Sequence, residues 1–347
     1  VAAAPTAGSA LGRYVLVRFL LIIPTVLILV TTVFVLMRAT GDPITAALGG
    51  RLTPDQLAER ISAAGYDRPI LVQYWEYLTG ILTGDFGTTI SDNRPVTEVL
   101  ATYGAATLEL SAYAVLVALV LGVPFGMIAA YRRDLLPDAV LRVLAILAYA
   151  TPVFFAGLLL KLIFSVWLGW FPVAGRVSTG GEIAMRQAGA DSGFMLVDAF
   201  ATGDPAVVLD VLSHAFLPAL TLGLLTAGVF LRLVRTNMIG TLGTEYVDAA
   251  RSRGVRERRL VTAHAWRPAL IPIITVAGMQ IAMLLVGAVL TETTFEWRGL
   301  GFQLSEYLQA RDFVAVQGIV VVMAVVVAVT NFLVDVIAAL VDPRVRF

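Results

Sequence analysis

The chain of 347 residues contains no cysteine. That excludes disulfides, thiolate nucleophiles and Cys-ligated metals in one step. Histidine is nearly absent too, and His214 and His264 are too few to build a His-based metal centre. Lysine occurs once, at Lys161; the 25 basic residues are otherwise arginine and are balanced by 25 acidic ones, for a formal net charge of zero. No basic field recommends nucleic acid as a partner. A G-x-x-x-x-G-K-[ST] phosphate loop is missing, so this chain does not bind ATP by that route. Charge itself is scarce, at 14% of residues, whereas 58% are hydrophobic and the mean hydropathy is +0.84. Soluble domains carry about 25% charged residues, so this composition belongs to an integral membrane protein.

Only helices and closed barrels leave no unpaired backbone groups in lipid. A helical span needs about 20 apolar residues, a strand only about 10 alternating ones. Here six long continuous runs occur, at 19–37, 105–130, 143–168, 215–233, 269–291 and 313–334. The expected fold is therefore all-α, with six transmembrane helices. An even number puts both termini (1–18 and 335–347) on one side, with the connection 234–268. That side holds 15 basic and seven acidic residues, the other 10 basic and 17 acidic, with Glu109 left inside its span. By the positive-inside rule both termini are expected in the cytoplasm. The bias survives when the long segment after the first run is discounted. Small residues precede the first run, where a signal-cleavage site would follow it, so that run is read as a retained helix. Pro24 within it is tolerable because neighbours in a membrane helix re-satisfy the freed carbonyl.

The segment 38–104 is too long for a turn and reads as an extracytoplasmic helical insertion. Thr53-Pro54-Asp55-Gln56 supplies an N-cap, a proline at the first helical position and a capping-box Gln; Gly65 supplies the stop. Asp67-Arg68-Pro69 opens a second helix that places Ile70, Leu71, Tyr74, Trp75, Leu78, Ile81 and Leu82 on one face before Gly84. Its aromatics suit a membrane interface or a docking surface. The segment 169–213 is rich in Gly, Ala and Asp without strong periodicity and reads as an acidic external loop. No internal repeat is visible, so the inverted-repeat pattern of many secondary transporters is missing.

From Arg232 to Pro268, at and beyond the end of the fourth run, the chain carries eight arginines and the phrase Glu245-Tyr246-Val247-Asp248-Ala249-Ala250-Arg251-Ser252-Arg253-Gly254. Thr244 is placed to cap a helix, Glu245 and Asp248 fall in its first turn where the dipole favours them, and Gly254 offers a left-handed stop. Ala249 and Ala250 keep one face low, so that a partner's backbone can approach. Gly254 then turns the chain into a second, Arg-rich helix. This order resembles the EAA loop of ABC importer permeases, whose short coupling helix sits in a cleft of the ATPase subunit. Two departures are visible: Asp248 stands where Glu is usual, and Pro268 falls one residue later than the general pattern.

Other stretches resemble the dipeptide and oligopeptide branch of that family over nearly the whole chain. They are Gly84-Asp85-Phe86-Gly87, Ala106-Thr107-Leu108-Glu109-Leu110, Thr151-Pro152-Val153-Phe154, the run from Thr291 through Glu292 and Trp297 to Gly301, and Asp342-Pro343-Arg344. The resemblance implies a type I ABC importer permease in the bacterial inner membrane, not itself an enzyme and with no cofactor of its own. It implies as partners a second homologous permease, two ATPase subunits holding ATP and Mg, and an extracytoplasmic peptide-binding lipoprotein. On this reading Glu245, Tyr246, Asp248, Ala249, Ala250, Arg253 and Gly254 meet an ATPase. Tyr74, Trp75, Asp85 and Phe86 are candidates for contact with the binding protein. The same branch includes nickel and glutathione permeases, so those cargoes stay open beside peptides.

Glu109 and Glu292 lie near the outer ends of their spans, where a carboxylate must face a partner, a water-filled path or headgroup water. They are the candidate path residues, able to attract a peptide's amino group. Lys161 is expected to snorkel to the outer surface. Asp335 is expected to pair with Arg232, Arg235 or Arg142, the histidines to pack, and Gly122 and Gly126 to let helices approach closely. A proton- or sodium-driven transporter would need ionisable residues at mid-membrane, where the spans are almost empty of them. A passive pore or scaffold would have little need of the cytoplasmic helix.

Overall fold

The computed structural model describes residues 7–39 and 41–341, without the side chains at 7–10, 271, 272, 275, 277, 281, 282, 285, 286 and 341. Among the described residues the only strand-like pairing is a bridge between Thr88 and Pro95. The rest is helical or irregular. In order the helices are α1 (Ala7–Ala39), α2 (Pro43–Leu48), α3 (Pro54–Ala63), α4 (Ile70–Thr83), α5 (Val96–Tyr131), α6 (Leu136–Ala150) and α7 (Val153–Leu160). Then come α8 (Thr179–Gln187), α9 (Met195–Ala201), α10 (Pro205–Leu242), α11 (Glu245–Ser252), α12 (Glu257–Arg259), α13 (Trp266–Phe295), α14 (Leu300–Gln309) and α15 (Phe313–Val341). Two wider π-helical turns continue them, Lys161–Trp167 after α7 and Leu260–Ala265 between α12 and α13.

Four stretches among the described residues are long and apolar enough to cross a bilayer: Leu11–Ala39, Val96–Tyr131, Pro205–Leu242 and Phe313–Leu340. The run 143–168, expected as one continuous span, is instead broken between Ala150 and Val153, where its two halves bend by 108°. The cause is local. Pro152 has no N–H for the ladder and its ring pushes Thr151 out of the helical region, to φ −81°, ψ 126°.

Helix α10 is the hub, packing on α5 along much of its length and also on α6 and α13; α1 lies against α15. Of its most apolar stretch 67% is buried, against 17% to 33% in the other three long stretches. The α5–α10 contact rests on the two glycines singled out from sequence. A Cβ on Gly122 would stand 2.5 Å from the Cβ of Phe230, and one on Gly126 2.7 Å from the Cβ of Val234. With no side chains there, the helices approach closely enough for Ala118, Ala130, Phe230, Val234 and Met238 to share one core with Ala265, Ala269 and Ile273.

Both helices expected in the insertion are present. The Thr53 N–H donates to Gln56 Oε1 (3.2 Å), and Gly65 and Gly84 both have positive φ, +75° and +79°. Helix α2 was not anticipated, although Asp42-Pro43 carries its signal: Asp42 Oδ1 accepts from the Thr45 N–H at 2.7 Å. The loop 169–213 holds α8, α9 and the first two turns of α10, which Asp204 and Pro205 open. Asp342-Pro343-Arg344 and residues 1–6 lie outside the described residues.

Candidate functional site

Helix α11 stands where the acidic phrase predicts it. Its eight residues bury only one side chain, Val247, while Glu245, Tyr246, Asp248, Ala249 and Arg253 are exposed and Ala250 is half-buried. A helix this short has almost no intrinsic stability in water, so tertiary docking must hold it. Val247 provides the apolar anchor, worth about 1.5–3 kcal/mol for full burial. Thr244 has the extended backbone of a cap (φ −88°, ψ 148°), but its hydroxyl donates to the Thr241 carbonyl at 2.6 Å rather than capping α11. The stop is as expected. Gly254 sits at φ +78°, with its N–H on Arg251 O (2.9 Å) and the Val255 N–H on Ala250 O (3.3 Å), the paired bonds of a Schellman turn.

The chain does not then form a separate Arg-rich helix. From Glu257 it runs through the π turn Leu260–Ala265 directly into α13, with Leu260, Val261 and Ala265 buried. Proline explains how α11 is fastened to this run. Pro268 has no N–H to offer the carbonyl four residues earlier, that of His264. The Tyr246 hydroxyl donates to that same carbonyl at 3.2 Å. Across the Gly254 turn, Arg251 bridges Asp248 (2.6 Å) and Glu257 (2.7 Å). These pairs are exposed, so they orient the turn more than they stabilise the fold. What results is a helix docked through Val247 and Tyr246, with Ala249 exposed beside the charges of Asp248 and Arg251.

The two candidate path carboxylates are both buried and both fully engaged. Glu109 takes a charge-assisted hydrogen bond from Arg176 Nη2 (2.6 Å), one from the Tyr113 hydroxyl (2.8 Å) and backbone N–H bonds from Met195 (3.3 Å) and Leu196 (2.8 Å). Glu292 accepts from Thr107 Oγ1 (2.7 Å) and the Phe302 N–H (2.9 Å), and Thr107 in turn accepts from the Leu300 N–H (2.8 Å). Glycine at 299 leaves room for this carboxylate where it sits, because a Cβ would lie 2.5 Å from Glu292 Oε1. Trp297, fully buried, donates its indole N–H to Ala106 O (2.9 Å) and lies under the Arg176 guanidinium, 5.4 Å from ring centre to Cζ. One clasp thus ties the N-terminal half of α5 to the 169–196 segment and to the turn after α13. Arg176 and Tyr113 are members that the sequence reading does not name, and Thr107 and Trp297 enter it only within longer motifs.

Of the four candidate binding-protein contacts, Trp75, at 66% exposure, and Asp85 are exposed, whereas Tyr74 and Phe86 are half-buried. Tyr74 faces α1, hydrogen-bonded to Thr31 Oγ1 (2.6 Å) and edge-on to Phe34. Asp85 folds back onto the Gly87 N–H (2.9 Å), and Phe86 packs near Gly318. Lys161 does not snorkel: its ammonium donates to Thr294 O (2.9 Å), the π turn swinging it toward α13. Asp335 pairs with Arg18 (3.2 Å), because α15 lies against α1, and not with Arg232, Arg235 or Arg142. Arg235 belongs instead to buried Asp138 (2.6 and 2.8 Å). His214 and His264 make packing hydrogen bonds to Asp210 O (2.8 Å) and Arg259 O (3.2 Å). Among the described residues no cluster of His, Asp or Glu could hold a metal.

Residues 122–347 match the family described as binding-protein-dependent transport system inner membrane component, and residues 11–99 match its N-terminal part. The chain is 37% identical over 337 residues to the dipeptide transport system permease protein DppB of Escherichia coli, covering 96% of this chain and 98% of that one. It is 38% identical over 331 residues to the di/tripeptide transport system permease protein DppB of Pseudomonas aeruginosa, covering 95% and 97%. The glutathione transport system permease protein GsiC of Salmonella choleraesuis is 34% identical over 336 residues, covering 96% and 99%. With the family match running over most of the chain and near full-length relatives above 30% identity, the chain belongs to the inner membrane permeases of binding-protein-dependent ABC transport systems.

Proposed function

We propose that the chain forms half of the translocation path of an ATP-driven importer of dipeptides and oligopeptides and couples to an ATPase through α11. The observation that carries the coupling role is the posture of that helix: anchored by one buried valine and one tyrosine hydroxyl, with its acidic and alanine positions left open to a partner. Six spans serve in this reading: the four long apolar stretches, the bent pair α6–α7 and the thirty-residue α13. Both termini and α11 face the cytoplasm, in keeping with the arginine bias, and 38–104 forms the outer insertion that meets a binding protein through exposed Trp75. A second permease completes the path, and two ATPase subunits supply ATP and Mg. Peptide cargo follows the dipeptide relatives; the glutathione relative supports a second reading, uptake of that modified tripeptide.

Alternating access gives the coupling its mechanism: closure of the ATPase pair moves α11, and the rigid link through Leu260–Ala265 transmits that movement into α13 and against α10. The test is uptake of labelled dipeptide by cells carrying Gly254→Pro or Asp248→Arg. Uptake is expected to be abolished at undiminished membrane levels. Normal uptake with either substitution would overturn the coupling role, and competition by glutathione rather than peptides would select the second cargo.

A further inference from the structure

Three arginines, Arg142, Arg232 and Arg235, line a cavity of about 320 Å³ between α6 and α10, together with Tyr149 and otherwise apolar side chains. Only one carboxylate meets them. Asp138 bonds to Arg235 and lies 3.6 Å from Arg142, so the group carries two uncompensated positive charges. Arg232 has no carboxylate partner among the described residues; its guanidinium rests over the Tyr149 ring at 5.9 Å. The cavity shares Ala145, Gly228 and Leu231 with a larger groove of about 510 Å³, which continues away from the arginines and is lined by Phe125, Ala148 and Leu159 among other apolar groups. Cations at one end and an oily channel at the other reproduce the order of a phospholipid. Arginines without a carboxylate partner attract an anion, and an acyl chain fills an apolar groove without leaving polar groups unpaired.

We propose that this groove is a binding site for one anionic phospholipid, its phosphate held between Arg142 and Arg232 and one acyl chain lying between α5, α6 and α10. A companion protein helix would need a carboxylate at the same level to satisfy the same charges. The proposal stands independently of the coupling role of α11. Arg235 is committed to Asp138 and serves as the wall; Arg142, half-exposed, and Arg232, exposed, are the ligands.

The test is native mass spectrometry of the full chain titrated with phosphatidylglycerol or phosphatidylethanolamine in mixed micelles. The intact chain is expected to retain phosphatidylglycerol in preference. Each cation at the headgroup is worth about fivefold for an anionic lipid, so R142Q/R232Q should bind it about 30-fold more weakly, with a smaller loss for phosphatidylethanolamine, whose ammonium offsets its phosphate. A148W, which fills the groove and leaves the arginines, should also lose it. Equal retention of the two lipids, or undiminished binding by R142Q/R232Q, would overturn the proposal. So would displacement of the lipid by inorganic phosphate alone. A photo-crosslinker at Leu144 in native membranes gives an independent reading: a lipid-mass adduct supports the site, whereas a protein adduct assigns the groove to a companion chain.

Discussion

Replacing Val247 by alanine should undock α11 without unfolding the protein. The substitution removes two buried methyl groups from the only fully buried side chain of an eight-residue helix. At about 0.8 kcal/mol per buried carbon, with a small addition for the cavity left behind, the loss is about 2 kcal/mol. Since about 1.4 kcal/mol is a factor of ten, the population of undocked α11 rises about thirtyfold. The core shared by α5, α10 and α13 does not include Val247, so the global fold keeps its stability. Hydrogen exchange resolved to peptides spanning 245–252 reads the local opening directly, because opening to solvent and global unfolding are separable there. Exchange in that segment should quicken about thirtyfold while peptides within α10 stay protected, and dipeptide-driven ATP hydrolysis by the assembled transporter should fall with it. Unchanged exchange at 245–252 would refute the anchoring role of Val247. Faster exchange with undiminished coupling would refute the idea that docking of α11 transmits the stroke.

The hydroxyl of Tyr246 is expected to matter only because of Pro268: Tyr246→Phe should speed exchange in α11 by about five- to tenfold, the worth of one hydrogen bond, and by much less in a Pro268→Ala background; additive effects would sink that link. Breaking the Glu109–Arg176 clasp on one side, by Glu109→Gln or Arg176→Met, leaves a buried charge uncompensated and should cost about 3–5 kcal/mol, whereas the double substitution should cost less than either single one; thermal melts of the purified chain that show simple addition would argue against a coupled pair. Gly126→Leu should lower melting temperature and membrane level together, since its Cβ must displace Val234 and the backbone of Leu231 at a cost of about 1–3 kcal/mol or more; a wild-type melt would mean that α5 and α10 do not approach as closely as described.

Much of this molecule was legible as text because the signals are local. A run of apolar residues must be helical in lipid whatever surrounds it, and a proline after Thr53 or a glycine at 65, 84 or 254 acts on its own backbone. The acidic phrase at 245–254 was readable for the same reason. Where neighbouring signals conflicted, the apolar run concealed the outcome: 143–168 is hydrophobic throughout, yet the backbone rule at Pro152 prevails and bends it. Helix α14 and the short helices of 169–213 carried no periodicity strong enough to announce them.

The partners of the charges are another matter. Sequence alone established that Glu109, Glu292, Lys161 and Asp335 could not be left bare in a bilayer, because an isolated charge there is too costly. Which group answers each one depends on residues far away in the chain that only packing brings within about 3.2 Å: Arg176 for Glu109, Thr107 for Glu292, the Thr294 carbonyl for Lys161, Arg18 for Asp335. The same holds for Tyr246 and the carbonyl that Pro268 leaves free. Composition and local backbone chemistry thus determined the membrane, the helices and the form of the acidic phrase at 245–254. The tertiary fold decided which buried polar groups face one another, since a hydrogen bond depends on position in space and not on order along the chain.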